Sequence, residues 1–426
     1  MSIRYSYSDI VWVGAGQVLS AFAMLAMMKV WSIYLEPNDL GLMALIVGIA
    51  SILLGISFGP LFHGIFIFYN EHAVNGNAHS FRAVSSSIIK RRGISAAILI
   101  GVVGYPISWY FGLHWSTPIL VAGLLAVDVI RVFEQRLFAA SRRHRDVAMV
   151  AAGDAFFRLC FVWIFLHTLQ HSPYTAIVGN QFGAFLFVVV MRISLRLEGY
   201  TVKRHVVPLE IQGEITNAIC HIAKPLLPSM VLANLTEMGN RYIITAILGL
   251  HAAGLFVVGY GFVKRPYGML NNIGEMTMVP GLRWAVTNGS AGDIVRSRRF
   301  SIMFISSISI IGALLFFVLR DPLVTIFLSG KYADVSEILF GLAVAITLFN
   351  VANVFNWFSL TLGDSRVVLL NNVVGSITTV VLTIVLCLMY GLIGTVWALI
   401  IGYSMQLVTS IFTYQACKRR YQLAQV

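Results

Sequence analysis

VVLLNNVVGSITTVVLTIVLCLMYGLIGTVWALIIGYSMQLVTSIFTYQAC, residues 367–417, carries no charged side chain and stands between Arg366 and the triplet Lys418-Arg419-Arg420. A crossing of the hydrocarbon core takes about 20 mainly apolar residues, so this stretch holds two crossings. Its turn falls at Tyr390-Gly391-Leu392-Ile393-Gly394, which leaves the flanking cations on one face of the membrane. No ten-residue barrel alternation is present, and at this depth only a helix then satisfies the backbone.

Working outward, the same pattern fills the chain. Of its 426 residues, 58% are hydrophobic and 11% charged, against roughly 25% charged in a soluble domain. Too little polar residue is available for a water-facing skin. The apolar runs predict spans at roughly 10–35, 41–68, 93–112, 118–140, 147–168, 174–195, 226–248, 253–280, 300–319, 336–361, 367–389 and 394–416. The expected fold is an all-α membrane protein of about twelve transmembrane helices. The run from Ile10 to Leu35 is too long for a signal-peptide core and reads as the first span.

The 30 Lys and Arg residues set the orientation. With the N-terminus inside, about 21 of them fall in cytoplasmic segments and about 2, Arg320 and Lys331, on the opposite face. Among the inner clusters are Arg82 with Lys90, Arg91 and Arg92; Arg142, Arg143 and Arg145; and Arg296, Arg298 and Arg299. Both termini are therefore expected in the cytoplasm of a bacterial cell, with the chain in the inner membrane. The net charge of +12 does not point to nucleic acid, because no basic stripe is interleaved with stacking aromatics.

The longest inner connection divides the chain into an N-terminal six-helix lobe (1–205), a cytoplasmic linker (206–225) and a C-terminal six-helix lobe (226–426). In the linker, Leu209, Ile211, Ile215, Ile219 and Ile222 recur near helical spacing, which predicts a short amphipathic surface helix. The halves are distantly alike. Pro37-Asn38-Asp39-Leu40-Gly41-Leu42 and Leu250-His251-Ala252-Ala253-Gly254-Leu255 each open a helix after an outer turn, as in transporters built from two repeats.

Four stretches together resemble the polysaccharide flippases of the multidrug/oligosaccharidyl-lipid/polysaccharide (MOP) exporter superfamily. They are Glu36–Gly41, Asn240-Arg241-Tyr242-Ile243-Ile244 with Leu248-Gly249 and Gly254, Ile326–Tyr332, and Tyr390–Gly394. The resemblance implies two six-helix lobes around a central cavity that opens alternately to either face. It implies as substrate an oligosaccharide on a polyprenyl diphosphate, moved from the cytoplasmic to the periplasmic leaflet. A polysaccharide polymerase or glycosyltransferases of the same pathway would be the partners. Where many relatives carry an acid just before the basic residue of span 7, this chain has Gly239-Asn240-Arg241, with Glu237 four residues before the arginine. The acid's family role is not carried over.

An ionisable group at mid-membrane costs at least about 2.5–3.5 kcal/mol on insertion scales, so each needs a partner or a wet cavity. Asp128, Arg131 and Glu134 step along one face of span 4, Asp154 and Arg158 lie four apart, and so do Glu237 and Arg241. Charge pairing and proton coupling are both open for Asp128, Arg131, Glu134 and Glu237. Lys29, Lys264 and Arg265 have no acid three or four residues away. With Arg241 they are candidate cavity cations for the diphosphate, the arginines bidentate and the lysines as point charges; the competing reading is snorkelling. Pro266 is a candidate hinge or a static kink. Asn350, Asn353 and Asn356 form a polar stripe that either bonds neighbouring helices or meets sugar hydroxyls.

Cys160, Cys220, Cys387 and Cys417 fit neither a CxxC nor a zinc spacing, so no disulfide and no metal are expected. No nucleophile–base pair, glycine-rich phosphate loop or nucleotide motif is present, so neither a cofactor nor an enzymatic activity is expected. A flippase leads. A multidrug or metabolite antiporter of the same superfamily, a polysaccharide polymerase or ligase, and a non-transporting scaffold follow in that order.

Overall fold

Without water, backbone N–H groups must find carbonyls inside their own segment, and the described residues fold accordingly as helices with one 3-10 turn and no strand. The structure is a computed structural model describing residues 7–74, 77–110, 113–141, 143–197, 207–288, 291–361 and 365–423. Arg4, Arg142, Lys203, Arg204 and the inner turn at 362–364 lie outside those residues. The helices are α1 (Tyr7–Tyr34), α2 (Pro37–Ser57), α3 (Gly59–Val74), α4 (Ala78–Tyr110), α5 (Thr117–Ala140), α6 (His144–Thr168), α7 (Pro173–Leu197), α8 (Leu209–Asn288), α9 (Ala291–Phe327), α10 (Val335–Thr361) and α11 (Ser365–Leu423).

Among the described residues nine helices are long and apolar enough to cross a membrane. Two of the nine are double. α8 breaks at Gly249 (φ 86°) and α11 at Gly391 (φ 62°), left-handed positions where a side chain would be strained. α5 also has the length of a span, but it carries Asp128, Arg131, Glu134 and Arg136. α3 continues α2 with little interruption, Phe62 N–H bonding Phe58 O at 2.9 Å. The architecture is therefore that of a multi-pass membrane protein of about twelve spans. Its outer surface fits: Ile310, Ile311, Leu314, Leu315 and Val318 of α9 are all exposed, a density of apolar surface that only lipid accommodates.

Two expectations change. The linker helix is not separate, because α8 runs without interruption from Leu209 through Pro225 to its break at Gly249. Its apolar face is also not free to lie in the bilayer. Ile215 and Ile219 are fully buried, and Ile219 packs against Gly64 of α3. The second change is at α9, which extends well beyond 300–319 and carries Pro322 inside it. Proline lacks one donor, a small loss near a helix end.

The chain clusters into two compact units. One comprises Met1–Leu35 and Leu42–Asn234; the other comprises Glu36–Gly41 and Leu235–Val426. In the first, Phe138, Val147, Val150, Phe187 and Met191 form an apolar core between α5, α6 and α7. In the second, Met278, Leu282, Ile305, Val354, Trp357, Phe358 and Tyr414 join α8 to α11.

The six residues Glu36–Gly41 leave the first unit and embed in the second. Glu36 Oε1 pairs with Lys331 Nζ at 2.7 Å. Tyr332 is fully buried, and that burial, with the Glu36 and Asp39 carboxylates nearby, holds its phenol above the ordinary value. The backbones then meet reciprocally. A Cβ at Gly41 would strike Leu250 O, and one at Gly254 would strike Pro37 O. The two glycine–leucine openings of the sequence thus pack on one another, each lacking the side chain that would separate them.

Candidate functional site

Each unit carries one cluster of in-span charge, and the two are built differently. In the first unit α5 and α6 face each other through Asp128, Arg131, Asp154 and Arg158. Arg158 Nη2 donates to Asp128 Oδ1 at 2.6 Å, and its Nε donates to Asp154 Oδ1 and Oδ2 at 2.9 and 3.0 Å. Arg131 Nε lies 3.3 Å from Asp128 and 3.5 Å from Asp154. The Asp154–Arg158 side chains are only 7% and 11% exposed. One helical turn further along α5, Glu134 pairs not with Arg131 but with Arg82 of α4, at 2.7 Å. Arg82, read in the sequence as a topology signal, is thus a buried partner.

In the second unit the first arm of α8 (209–248) and its second arm (250–288) bring Glu237, Arg241, Lys264 and Arg265 together. Lys264 Nζ donates to Glu237 Oε1 across the two arms and lies 5.5 Å from the Tyr260 ring centroid, a cation–π contact. Tyr260 and Tyr403 are both buried and hydrogen-bonded to each other. Glu237 is therefore taken by Lys264, whereas its sequence spacing pointed to Arg241. Among the described residues Arg241 Nε is a buried donor with no acceptor. Arg265 lies within electrostatic reach of Arg241 and is itself exposed. A buried unpaired donor costs about 1–3 kcal/mol, more when charged, so an acceptor placed at Arg241 Nε would remove that cost.

The other candidates fall as follows. Lys29 is half-buried on α1 of the first unit. Pro266 follows Arg265 in the second arm, and among the described residues of α8 only Gly249, between the arms, departs from helical angles. Asn350 Nδ2 donates to Tyr267 O at 3.4 Å, while Asn356 Oδ1 accepts from Asn371 Nδ2 at 2.9 Å and Ser410 Oγ at 3.3 Å. These two are buried and bond neighbouring helices, whereas Asn353 between them is half-buried. Among the described residues no group of His, Cys, Asp and Glu could hold a metal ion.

Sequence spacing located both clusters but not their cross-helix pairs. Arg82–Glu134, Arg158–Asp128, Lys264–Glu237 and Tyr260–Tyr403 join different helices, and no periodicity along one helix reports them. The available signal was an excess: Lys264 had no acid on its own helix face, so its partner had to come from elsewhere.

No protein-family model and no curated protein sequence matches the chain. Solved structures do. The chain is similar to a multidrug-resistance MATE family transporter of the MOP superfamily in its inward-facing conformation, with a TM-score of 0.77 at 14% identity over 96% of this chain and 95% of that one. It is similar to the lipid II flippase MurJ in an inward closed conformation, with a TM-score of 0.67 at 12% identity over 96% and 88%. A third likeness is to a MOP superfamily transporter from Pyrococcus furiosus described as having a binding pocket of reversed polarity, with a TM-score of 0.69 at 12% identity over 98% and 95%. At this identity the likeness shows the fold: the chain shares the all-helical fold of these transporters.

Proposed function

We propose that the protein is a flippase of the MOP superfamily that moves a polyprenyl-diphosphate-linked oligosaccharide across the bacterial inner membrane. Transport runs from the cytoplasmic to the periplasmic leaflet by alternating access and makes or breaks no covalent bond. The observation that carries the reading is the uncompensated cation pair on α8: Arg241 with a buried, unused N–H, and Arg265 beside it. A diphosphate supplies several acceptor oxygens in the geometry that guanidinium forks prefer. Lys264 and Lys29 add point charges, Asn353 is the candidate glycan contact, and Pro266 is the candidate hinge.

A cation-coupled multidrug antiporter would want an unpaired carboxylate within the spans. Among the described residues the in-span carboxylates Asp128, Glu134, Asp154 and Glu237 are each held by an arginine or lysine, which favours an anionic substrate. The excess of Lys and Arg in alternate connections supports cytoplasmic termini.

The test is a deletion strain complemented with the protein or with Arg241→Gln and Arg265→Gln together. Each lost charge-assisted bond is worth about 1.5–3 kcal/mol, so export of the glycan should fall by about a hundredfold or more at normal protein level, with lipid-linked oligosaccharide accumulating on the inner leaflet. Full export by the double variant would overturn the assignment. A deletion that altered only drug sensitivity would favour the antiporter.

A further inference from the structure

At one end of the second unit a cavity of about 420 Å³ opens where α9, α10 and α11 meet. Its lining is divided in character. Ile302, Phe355 and Ile411 are apolar, whereas Arg298, Arg299 and Tyr414 present two cations and a phenol. Arg298 Nη1 donates to Tyr414 Oη at 2.9 Å, and its guanidinium carbon lies 5.5 Å from the Tyr414 ring centroid. The contact holds that guanidinium against an aromatic wall, which lowers the entropy a ligand must remove. Arg299 is exposed. Among the described residues no carboxylate pairs with either arginine.

The depth of the cavity matters. Arg298 lies seven residues into α9, about 10 Å along the helix from its start, and the apolar run of α9 begins at Phe300. Tyr414 lies a similar distance from the end of α11. The cations thus sit where hydrocarbon gives way to headgroups, with apolar side chains on the hydrocarbon side. Neither a free sugar nor a soluble anion would use both halves of this lining.

We propose that the cavity binds the headgroup of an anionic glycerophospholipid, the guanidiniums of Arg298 and Arg299 holding its phosphodiester and the apolar wall taking the first carbons of its acyl chains. Charge complementarity selects the occupant. A phosphate meets two guanidiniums that, among the described residues, pair with no carboxylate, and it can be gripped in bidentate fashion. The compensating cation of a zwitterionic headgroup would find no carboxylate among the described residues that line the cavity. Basic pockets between helices at a membrane face bind anionic headgroups by the same electrostatics. The cavity lies on α9, α10 and α11, apart from Arg241 and Arg265 on α8, so the bound lipid is a resident of the protein and not its cargo.

The experiment is native mass spectrometry of the full chain titrated with phosphatidylglycerol, phosphatidylcholine or a polyprenyl phosphate. At about one kcal/mol per basic residue near the surface, Arg298→Gln with Arg299→Gln should weaken phosphatidylglycerol binding about thirtyfold at low salt. Phosphatidylcholine binding should be unchanged. Arg298→Lys with Arg299→Lys should retain most of the affinity, and carries the test if the glutamine variant misfolds. Tyr414→Phe should weaken binding by a few fold, since the guanidinium loses its anchor and keeps its charge. Equal phosphatidylglycerol binding by the wild type and the glutamine variant would overturn the proposal. So would equal competition by phosphatidylcholine, or preferential occupancy by the polyprenyl phosphate. Arg241 and Arg265 are untouched throughout, so failure here leaves the flippase reading standing.

Discussion

The charged cluster of the first unit is closed on itself, and that of the second is open. Around α5, among the described residues, the carboxylates of Asp128, Glu134 and Asp154 meet the guanidiniums of Arg82, Arg131 and Arg158, and every one has an opposite partner within 3.5 Å. On α8, among the described residues, one carboxylate, Glu237, serves Arg241, Lys264 and Arg265, and its ion pair is with Lys264. The same residue types at the same kind of position therefore do two jobs. A neutral network fixes how helices pack, whereas an uncompensated one keeps capacity for a ligand. Net charge in the cluster separates the two roles where residue identity does not.

The largest effect should come from breaking the closed network. Arg158→Leu leaves Asp128 and Asp154 sharing Arg131 alone. Removing one partner of a buried pair costs about 3–5 kcal/mol, so this variant should lose most of its folded yield in the membrane and its thermal stability in detergent. Arg158→Leu with Asp154→Leu leaves one acid and one base, and should recover most of that loss. If the double variant were no more stable than the single one, charge balance would not be what the network supplies.

A smaller effect should follow from parting the two turns at 36–41 and 249–254. Gly254→Val places a branched side chain against Pro37 O. Inserted bulk of this kind costs about 1–3 kcal/mol, and only outward movement of the 36–41 segment relieves it. Protection of the 36–41 amides from hydrogen exchange should fall while that of α10 stays as it was. Unchanged protection at 36–41 would mean that the backbone contact does not hold the turn.

Much of this was legible in the sequence, because lipid constrains composition so strongly. The span count rests on apolar runs such as 367–417, and α11 turns at Gly391 inside that run as the count requires. Lengths were less legible. Nothing in the hydropathy of α9 marks that it continues to Phe327, because beyond the bilayer a helix is limited by local packing and not by solvent. The stretch expected as a linker helix differs for a related reason. An amphipathic pattern states that a face must be buried, and Ile215 and Ile219 buried theirs in protein instead of lipid. At the candidate site, pairs on one helix such as Asp154–Arg158 could be read from spacing. Pairs between helices could not, and Glu237 went to Lys264 because a longer reach across the arms outcompeted a neighbour four residues away.

The finest test applies one isosteric change to both clusters. Glu134→Gln takes the negative charge out of the buried Arg82–Glu134 pair, the side chains being 13% and 5% exposed, so it should act on stability, by several kcal/mol on the scale of buried pairs. Glu237→Gln removes a pair whose side chains are 37% and 47% exposed, and exposed pairs contribute about 1 kcal/mol or less. The protein should therefore remain folded, with a detergent melting temperature within a few degrees of the wild type. What changes is charge: Lys264 is released, and the cluster gains a third uncompensated cation beside Arg241 and Arg265. A diphosphate should then bind more tightly and leave more slowly, lowering both the apparent KM and the maximal rate of export in proteoliposomes. Should Glu237→Gln instead destabilise the protein as much as Glu134→Gln, the second cluster would be structural too. The contrast between a closed and an open network would then fail.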